Sequence, residues 1–162
     1  MEKTMFALFG KGGSGKSTTI AYVLAELRQY ASDSRVQLGN QRRSGPPEVW
    51  WAILTINGVL VGIASPGDNE FHVRRRVQPL IDAGCQVIVC ATRSMESSSS
   101  VQALKQLAAS ATPPYRIKRI RKISDPLNAD SCNWQQCGEI VRKVLEAVGV
   151  PLEAAATELV EA

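Results

Sequence analysis

A stretch near the amino terminus combines glycines, a lysine and two hydroxyl side chains in a spacing that suits phosphate chemistry. It fits the pattern G-x-x-x-x-G-K-[ST]. The stretch reads Gly10-Lys11-Gly12-Gly13-Ser14-Gly15-Lys16-Ser17-Thr18. Glycines let the backbone curve so that several N–H groups point inward, and a helix that follows adds its positive end. The sequence therefore predicts a loop that binds a polyphosphate.

Three side chains of this stretch have distinct expected roles. The Lys16 ammonium would reach the β- and γ-phosphates of a triphosphate, and the Ser17 hydroxyl would ligate Mg²⁺. Thr18 would serve the first turn of the following helix or a nearby phosphate. An ordinary glycine-rich turn is the alternative, but it requires neither the lysine nor the hydroxyl. The expected ligand is ATP or GTP together with Mg²⁺.

The flanking residues predict a strand before the loop and a helix after it. Residues 5–9 are a short apolar run that ends in the glycines, as a buried strand would. Residues 17–30 carry apolar side chains at helical spacing. These are Ile20, Val23, Leu24 and Leu27. Residues 31–48 show no such period and contain a Gly-Pro-Pro break, so we predict a loop there.

The rest of the chain predicts an alternation of strands and helices. Residues 49–56 and 59–64 are strands joined by Asn57-Gly58, a strong signal for an antiparallel hairpin. Both faces of the first strand are apolar, so helices should cover both sides. Further helices are predicted at 70–82, 97–109 and 133–148, and further strands at 86–91 and 115–123. We expect one α/β domain over 1–150, a three-layer sandwich with a mainly parallel sheet, followed by an acidic tail at 151–162.

On the glycine-rich residues the sequence resembles P-loop NTPases. Gly10-Lys11-Gly12-Gly13 is also similar to the deviant loop of dimeric ParA/MinD-type ATPases. In that family the extra lysine reaches the nucleotide of the partner subunit. The resemblance implies that Lys11 could act across a homodimer, and the alternative is a solvated loop lysine.

The predicted element order also resembles that of small regulatory GTPases. In that family the second hairpin strand ends in D-x-x-G, whose glycine contacts the γ-phosphate. The matching stretch here begins with Ala64 in place of the aspartate and ends in Gly67. The resemblance therefore implies a γ-phosphate contact for Gly67 and leaves Asp68 to support the metal, unless Asp68 is a turn or cap residue. Residues 121–125 do not fit the guanine-specifying N-K-x-D motif, so we expect ATP rather than GTP.

A third resemblance is to small nucleotide and metabolite kinases, which use mobile arginines to neutralise the transferred phosphoryl group. The candidate arginines are Arg74, Arg75, Arg76 and Arg93. Arg93 follows a predicted parallel strand, and ligands of open α/β folds bind at the carboxyl ends of such strands. Asp68 or Glu70 would supply the carboxylate that aligns an acceptor hydroxyl.

Composition limits the other classes of function. The 162 residues carry a net charge of +4, with basic clusters at 74–76 and 116–122. The second cluster lacks interleaved aromatic residues, so we expect solvated charges rather than a nucleic-acid site. The four cysteines are predicted to be reduced, and the single histidine, His72, has no nucleophile beside it. We find no signal peptide or membrane span and expect a cytoplasmic protein.

Together these patterns predict a Mg²⁺-dependent P-loop NTPase that transfers the γ-phosphoryl group to water. The predicted catalytic residues are Lys16, Arg93 and Asp68, and the predicted metal ligands are Ser17 and Asp68. Two alternatives stay open. One is a small nucleotide or metabolite kinase, and the other is a nucleotide-binding switch or interaction module that does not hydrolyse its ligand.

Overall fold

Strands and helices alternate along the chain, as the predicted α/β class requires. A computed structural model describes residues 1–39, 49–65, 69–95 and 97–151, and these contain six strands and four helices. The strands are β1 (Thr4–Phe9), β2 (Ala31–Leu38), β3 (Val49–Ile56), β4 (Val59–Ala64), β5 (Val87–Thr92) and β6 (Arg116–Arg121). The helices are α1 (Lys16–Arg28), α2 (Glu70–Asp82), α3 (Ser99–Ser110) and α4 (Ala129–Ala147). The predicted acidic tail lies outside these residues, except for its first position.

The six strands form one mixed sheet in the order β2-β3-β4-β5-β1-β6. β4, β5, β1 and β6 run parallel to one another, whereas β3 is antiparallel to β2 and to β4. The predicted hairpin between β3 and β4 is confirmed. Its turn residues Asn57 and Gly58 have φ angles of 52° and 75°, the positive values that a tight two-residue turn needs.

The prediction that residues 31–48 form a loop is wrong for its first part, because residues 31–38 are strand β2. β2 lies at the edge of the sheet and pairs only with β3 among the described strands. Most of its side chains are exposed, and its register shifts twice. Its polar sequence carries no alternating pattern because neither of its faces is fully buried. Residues 40–48 lie outside the described part of the chain.

Apolar side chains on the two faces of the sheet form two separate cores. Leu54 of β3 packs with residues of α1 and α4 on one face, and Ile53 packs with residues of α2 and α3 on the other. Each face of the sheet is therefore covered by two helices. The alternation within β3 confirms the prediction that both of its sides are buried.

The helix starts follow local capping rules. The Asn69 side chain caps α2 by accepting a hydrogen bond from the backbone N–H of His72 at 3.0 Å. Ser98 caps α3 by accepting from the N–H of Val101 at 3.4 Å, so this helix begins within two residues of the predicted position 97. α4 begins at Ala129, earlier than the predicted position 133. Its first turn contains Asp130, whose charge favours a helix start.

Candidate functional site

The carboxyl ends of β4, β5 and β1 lie side by side at one edge of the sheet, because these strands are parallel neighbours. α1 follows β1 and packs on one face, while α3 follows β5 and packs on the opposite face. The connections after these adjacent strands therefore diverge. In open α/β sheets such a divergence at the carboxyl edge is where ligands bind. This is the edge at which the sequence predicted a cleft.

Residues 10–15, called here the glycine-rich loop, connect β1 to α1 at this point. Gly13 and Gly15 have φ angles of 77° and 91°, in the left-handed region that favours glycine. Gly15 precedes the first residue of α1 and contributes no side-chain cap. The loop can therefore turn sharply and bring its backbone onto the start of the helix.

Lys16 is the first residue of α1, and its side chain folds back into the loop. It is only 6% exposed. Its Nζ donates to the carbonyl oxygens of Gly10 at 2.5 Å and Lys11 at 3.2 Å. Ser14 Oγ donates to the same Lys11 carbonyl at 2.6 Å. A buried ammonium thus lies within the loop and donates to two of its carbonyl oxygens, while the side chain of Lys11 is exposed to solvent.

The inner side of the loop encloses a concavity of about 350 Å³. It is lined by Gly12, Gly13, Ser14, Gly15, Lys16, Ser17 and Thr18. Seven of the ten residues predicted to bind nucleotide thus line one cavity, at the amino-terminal end of a 13-residue helix. The positive end of that helix and the Lys16 ammonium give the concavity a field that favours an anion.

Arg93 follows β5, the strand next to β1, and reaches the glycine-rich loop. A Cβ placed on Gly12 would overlap the Nη1 atom of Arg93, so the guanidinium lies directly against this glycine. The backbone N–H of Arg93 donates to Ser100 Oγ of α3 at 3.2 Å. The absence of a side chain on Gly12 leaves the space that the guanidinium of Arg93 occupies. The structure thus brings Arg93 and the glycine-rich loop together, as expected from the position of Arg93 at the carboxyl edge of the sheet.

The other three candidate arginines point in three different directions. Arg74 donates to Gln106 on α3, and the guanidinium of Arg75 lies 5.0 Å from the ring centre of Phe71. Arg76 donates to Ser65 Oγ at 2.9 Å, immediately after β4. Of this cluster, Arg76 is the residue that contacts the carboxyl edge of the sheet. It does so two strands away from β1.

Two predicted site residues, Gly67 and Asp68, lie outside the described residues, as does the connection they belong to. Glu70, the predicted alternative carboxylate, is the first residue of α2 and is exposed. Within the described ranges, no three His, Cys, Asp or Glu side chains are grouped closely enough to hold a metal ion.

A second pocket, of about 730 Å³, adjoins the concavity of the loop. One wall is formed by the end of β1 and the loop, including Lys11 and Ser14, and Ser14 also lines the first concavity. The opposite wall is formed by residues between 121, the last position of β6, and 126, with Lys122 among them. Burial lowers the pKa of Lys122 below its ordinary value, and its Nζ donates to the carbonyl of Ile123.

Sequence reasoning missed two polar residues of α4 that contact these walls. Asn133 is 7% exposed, and a Cβ on Gly15 would lie 2.6 Å from its Oδ1. The Thr19 hydroxyl of α1 lies 3.3 Å from the same oxygen. Gln136 is 1% exposed; its Oε1 accepts from the N–H of Ile123 at 2.9 Å, and its Nε2 donates to the carbonyl of Arg121 at 2.7 Å.

A signal for these residues is present in the sequence. Asn133 and Gln136 fall on the helix face that also carries Cys137 and Ile140, so they are polar residues in an otherwise apolar stripe. The sequence spacing also predicts Trp134 on the apolar stripe of this helix, and the structure shows that this is wrong. It is 44% exposed and stacks on Tyr22 of α1, with ring centres 3.9 Å apart.

The cysteines of the described residues are free thiols, as predicted. Burial raises the pKa of Cys85, Cys90 and Cys137 to about 12, so these thiols stay protonated at neutral pH. Cys137 packs in the core beside α1, whereas Cys132 is only partly buried.

Strand β6 carries most of the second basic cluster at the far edge of the sheet. Arg119 lies over the ring of Phe9 at 4.1 Å and donates to the carbonyl of Ser94 at 3.3 Å. Nη1 of Arg116 lies 3.7 Å from Oε1 of Glu2. Charged side chains on an edge strand also oppose pairing with other chains.

Comparison of the chain with family models, with curated proteins and with solved structures gives no match. Within the described ranges, no helix has both the length and the apolar character that crossing a bilayer requires.

Proposed function

We propose that this chain is a P-loop nucleoside-triphosphatase with the three-layer sandwich of that class, binding ATP rather than GTP and transferring the γ-phosphoryl group to water. One observation carries the proposal. The buried ammonium of Lys16 lies within a glycine-rich loop whose concavity opens at the divergence between β1 and β5. A polyphosphate would bring negatively charged oxygen atoms to this site, whereas the loop carbonyl oxygens are neutral.

A phosphate oxygen would be a stronger acceptor for Lys16 than the two loop carbonyls are. Lys16 donates to two carbonyl oxygens, which are neutral acceptors. A phosphate oxygen is a charged acceptor, and such charge-assisted bonds are about twice as strong as neutral ones. In the proposed complex Lys16 turns toward the β- and γ-phosphates, and the N–H groups of residues 12–18 bind the phosphate oxygens.

The residues present fit Mg²⁺. Ser17 lines the concavity beside Lys16, and its hydroxyl oxygen is the hard donor that Mg²⁺ prefers. Ser17 and the phosphates would hold the ion, with Asp68 as a further proposed ligand. Bound Mg²⁺ neutralises charge on the β- and γ-phosphates. The ion usually needs only one or two carboxylates in such sites.

Arg93 is the proposed source of the remaining positive charge. Its guanidinium lies against Gly12, so it reaches the mouth of the concavity from the neighbouring strand. There it would stabilise the charge that spreads over the γ-phosphoryl oxygens during transfer. Gly67 is proposed to contact the γ-phosphate through its backbone. The exposed Lys11 is proposed to reach the nucleotide of a second copy of the chain.

The test compares Lys16→Ala with wild type for ATP affinity in the presence of Mg²⁺. We expect a loss of about 100-fold, because charge-assisted hydrogen bonds contribute about 1.5 to 3 kcal/mol each. Lys143→Ala, which removes an exposed lysine of α4, is the matched control and should bind like wild type. Unchanged affinity in folded Lys16→Ala protein contradicts the proposal.

A turnover assay then separates the reactions. Release of inorganic phosphate supports hydrolysis, and phosphate on an added nucleoside or metabolite indicates a kinase. Tight binding without either product indicates a nucleotide-binding switch. Arg93→Ala should lower turnover more than binding, since its proposed contact forms fully only during transfer.

A further inference from the structure

The two pockets of the candidate site are neighbours that share one lining residue, Ser14. The concavity of about 350 Å³ and the pocket of about 730 Å³ both include Ser14. The larger one lies within the size range of small-molecule sites, about 300 to 1,000 Å³. It is bounded by the glycine-rich loop on one side and by residues 121–126 on the other. Its width therefore depends on how these two segments are held relative to each other.

One turn of α4 contacts both segments. Asn133 packs against Gly15 and lies beside Thr19, at the helix end of the loop. Gln136 makes two hydrogen bonds to the backbone of residues 121–123. Residues three apart are neighbours on a helix surface, and the helix between them is rigid. Both side chains are buried, so water does not compete for these contacts.

We propose that Asn133 and Gln136 are positioning residues that hold residues 121–126 at a set distance from the glycine-rich loop, so that a single nucleoside triphosphate occupies both pockets. This inference rests on the proposed function. With the phosphates in the smaller concavity, the nucleoside leaves it on the side of Ser14 and enters the larger pocket. Asn133 holds the phosphate end of the site and Gln136 holds the nucleoside end.

The proposal predicts that two ligands, one with and one without a nucleoside, report separately on the nucleoside end and the phosphate end of the site. Inorganic tripolyphosphate fills only the loop, whereas ATP also needs the wall that Gln136 holds. Gln136→Leu keeps the volume of the side chain but removes both hydrogen bonds. We expect it to weaken ATP binding about tenfold, with tripolyphosphate affinity unchanged, because the loss of two buried hydrogen bonds loosens only one wall.

The adjacent Gln135 supplies the matched control, because it lies on the exposed side of the same helix turn. Gln135→Leu should bind both ligands like wild type. Gln136→Glu is a second variant for use if Gln136→Leu does not fold. It retains the acceptor for Ile123 and loses the donor to Arg121, so the same selective loss of ATP affinity is expected. Circular dichroism and thermal unfolding establish that each variant is folded.

Two results overturn the inference, and they differ in what else they imply. If wild type binds both ligands but the Gln136 variants weaken both equally, or neither, α4 does not position the nucleoside wall and the proposed function stands. If wild type binds neither ATP nor tripolyphosphate, the proposed function fails and the inference fails with it.

Discussion

The two helical faces of the sheet bury similar apolar cores but use their polar side chains differently. On the α1/α4 face, buried Thr19, Asn133 and Gln136 lie at the end nearest the glycine-rich loop. On the α2/α3 face, the buried side chains of α2 are all apolar, and Ser100 of α3 is the buried polar residue that reaches the carboxyl edge.

This difference indicates which face supports the site. Buried polar groups need hydrogen-bond partners, and each partner constrains geometry. The α1/α4 face directs such groups at Gly15 of the loop and at the backbone of residues 121–123. The α2/α3 face directs one serine at the backbone of Arg93. The first face therefore contacts the candidate site at two points, and the second contacts the backbone of Arg93.

The substitutions with the largest expected effects on the free energy of unfolding should destabilise the two faces to a similar extent. Ile140→Ala in α4 and Leu104→Ala in α3 each remove a side chain that is at most 2% exposed. Each should lower the free energy of unfolding by about 2 to 5 kcal/mol, since both leave a cavity in a closely packed core. Denaturant titration measures this. A loss below 1 kcal/mol for either variant would show that its face is not a true core.

A second pair of substitutions has smaller expected effects, and these should differ between the two faces. Asn133→Ala removes a group that contacts Gly15 and Thr19, and should cost about 1 to 3 kcal/mol of unfolding free energy. Ser100→Ala removes one hydrogen bond to the Arg93 backbone and should cost about 1 kcal/mol. Denaturant titration of both variants gives the comparison. If Ser100→Ala proves the more destabilising, the assignment of the supporting role to α4 is wrong.

The smallest expected effect on stability concerns Lys122, which lies between the two backbone groups that hydrogen-bond to Gln136. Burial lowers its pKa below the ordinary value of 10.5, so the folded chain binds fewer protons than the unfolded chain in the window just below 10.5. The Lys122 contribution to stability therefore increases as pH rises through the folded pKa toward 10.5. Lys122→Met should be relatively more stable at neutral pH, and this advantage should shrink as the pH approaches that value.

Unfolding curves of wild type and Lys122→Met at several pH values between neutral and alkaline test this. Lys143→Met, at an exposed site on α4, is the control. A difference between Lys122→Met and wild type that stays constant with pH would mean that Lys122 is fully solvated, and that the wall is open.

The features that the sequence alone determined are those with local causes. The Asn57-Gly58 turn, the serine start of α3 and the apolar stripes of the helices depend on neighbours within a few residues, and the structure confirms them. Residues 12–18 of the predicted phosphate loop line one concavity, and their role in binding stays a prediction. Backbone preferences and side-chain periodicity act over this range, so they can be read from the chain.

Tertiary structure decided the features whose causes lie far apart in sequence. β2 is a strand because β3 offers it a partner, although its own residues show no strand pattern. Arg93 was identified from its position, but its contact with Gly12 arises only because β5 lies next to β1. Asn133 and Gln136 became site residues when α4 packed across the loop and the end of β6. Such contacts join segments that only the folded sheet brings together, so no local pattern encodes them.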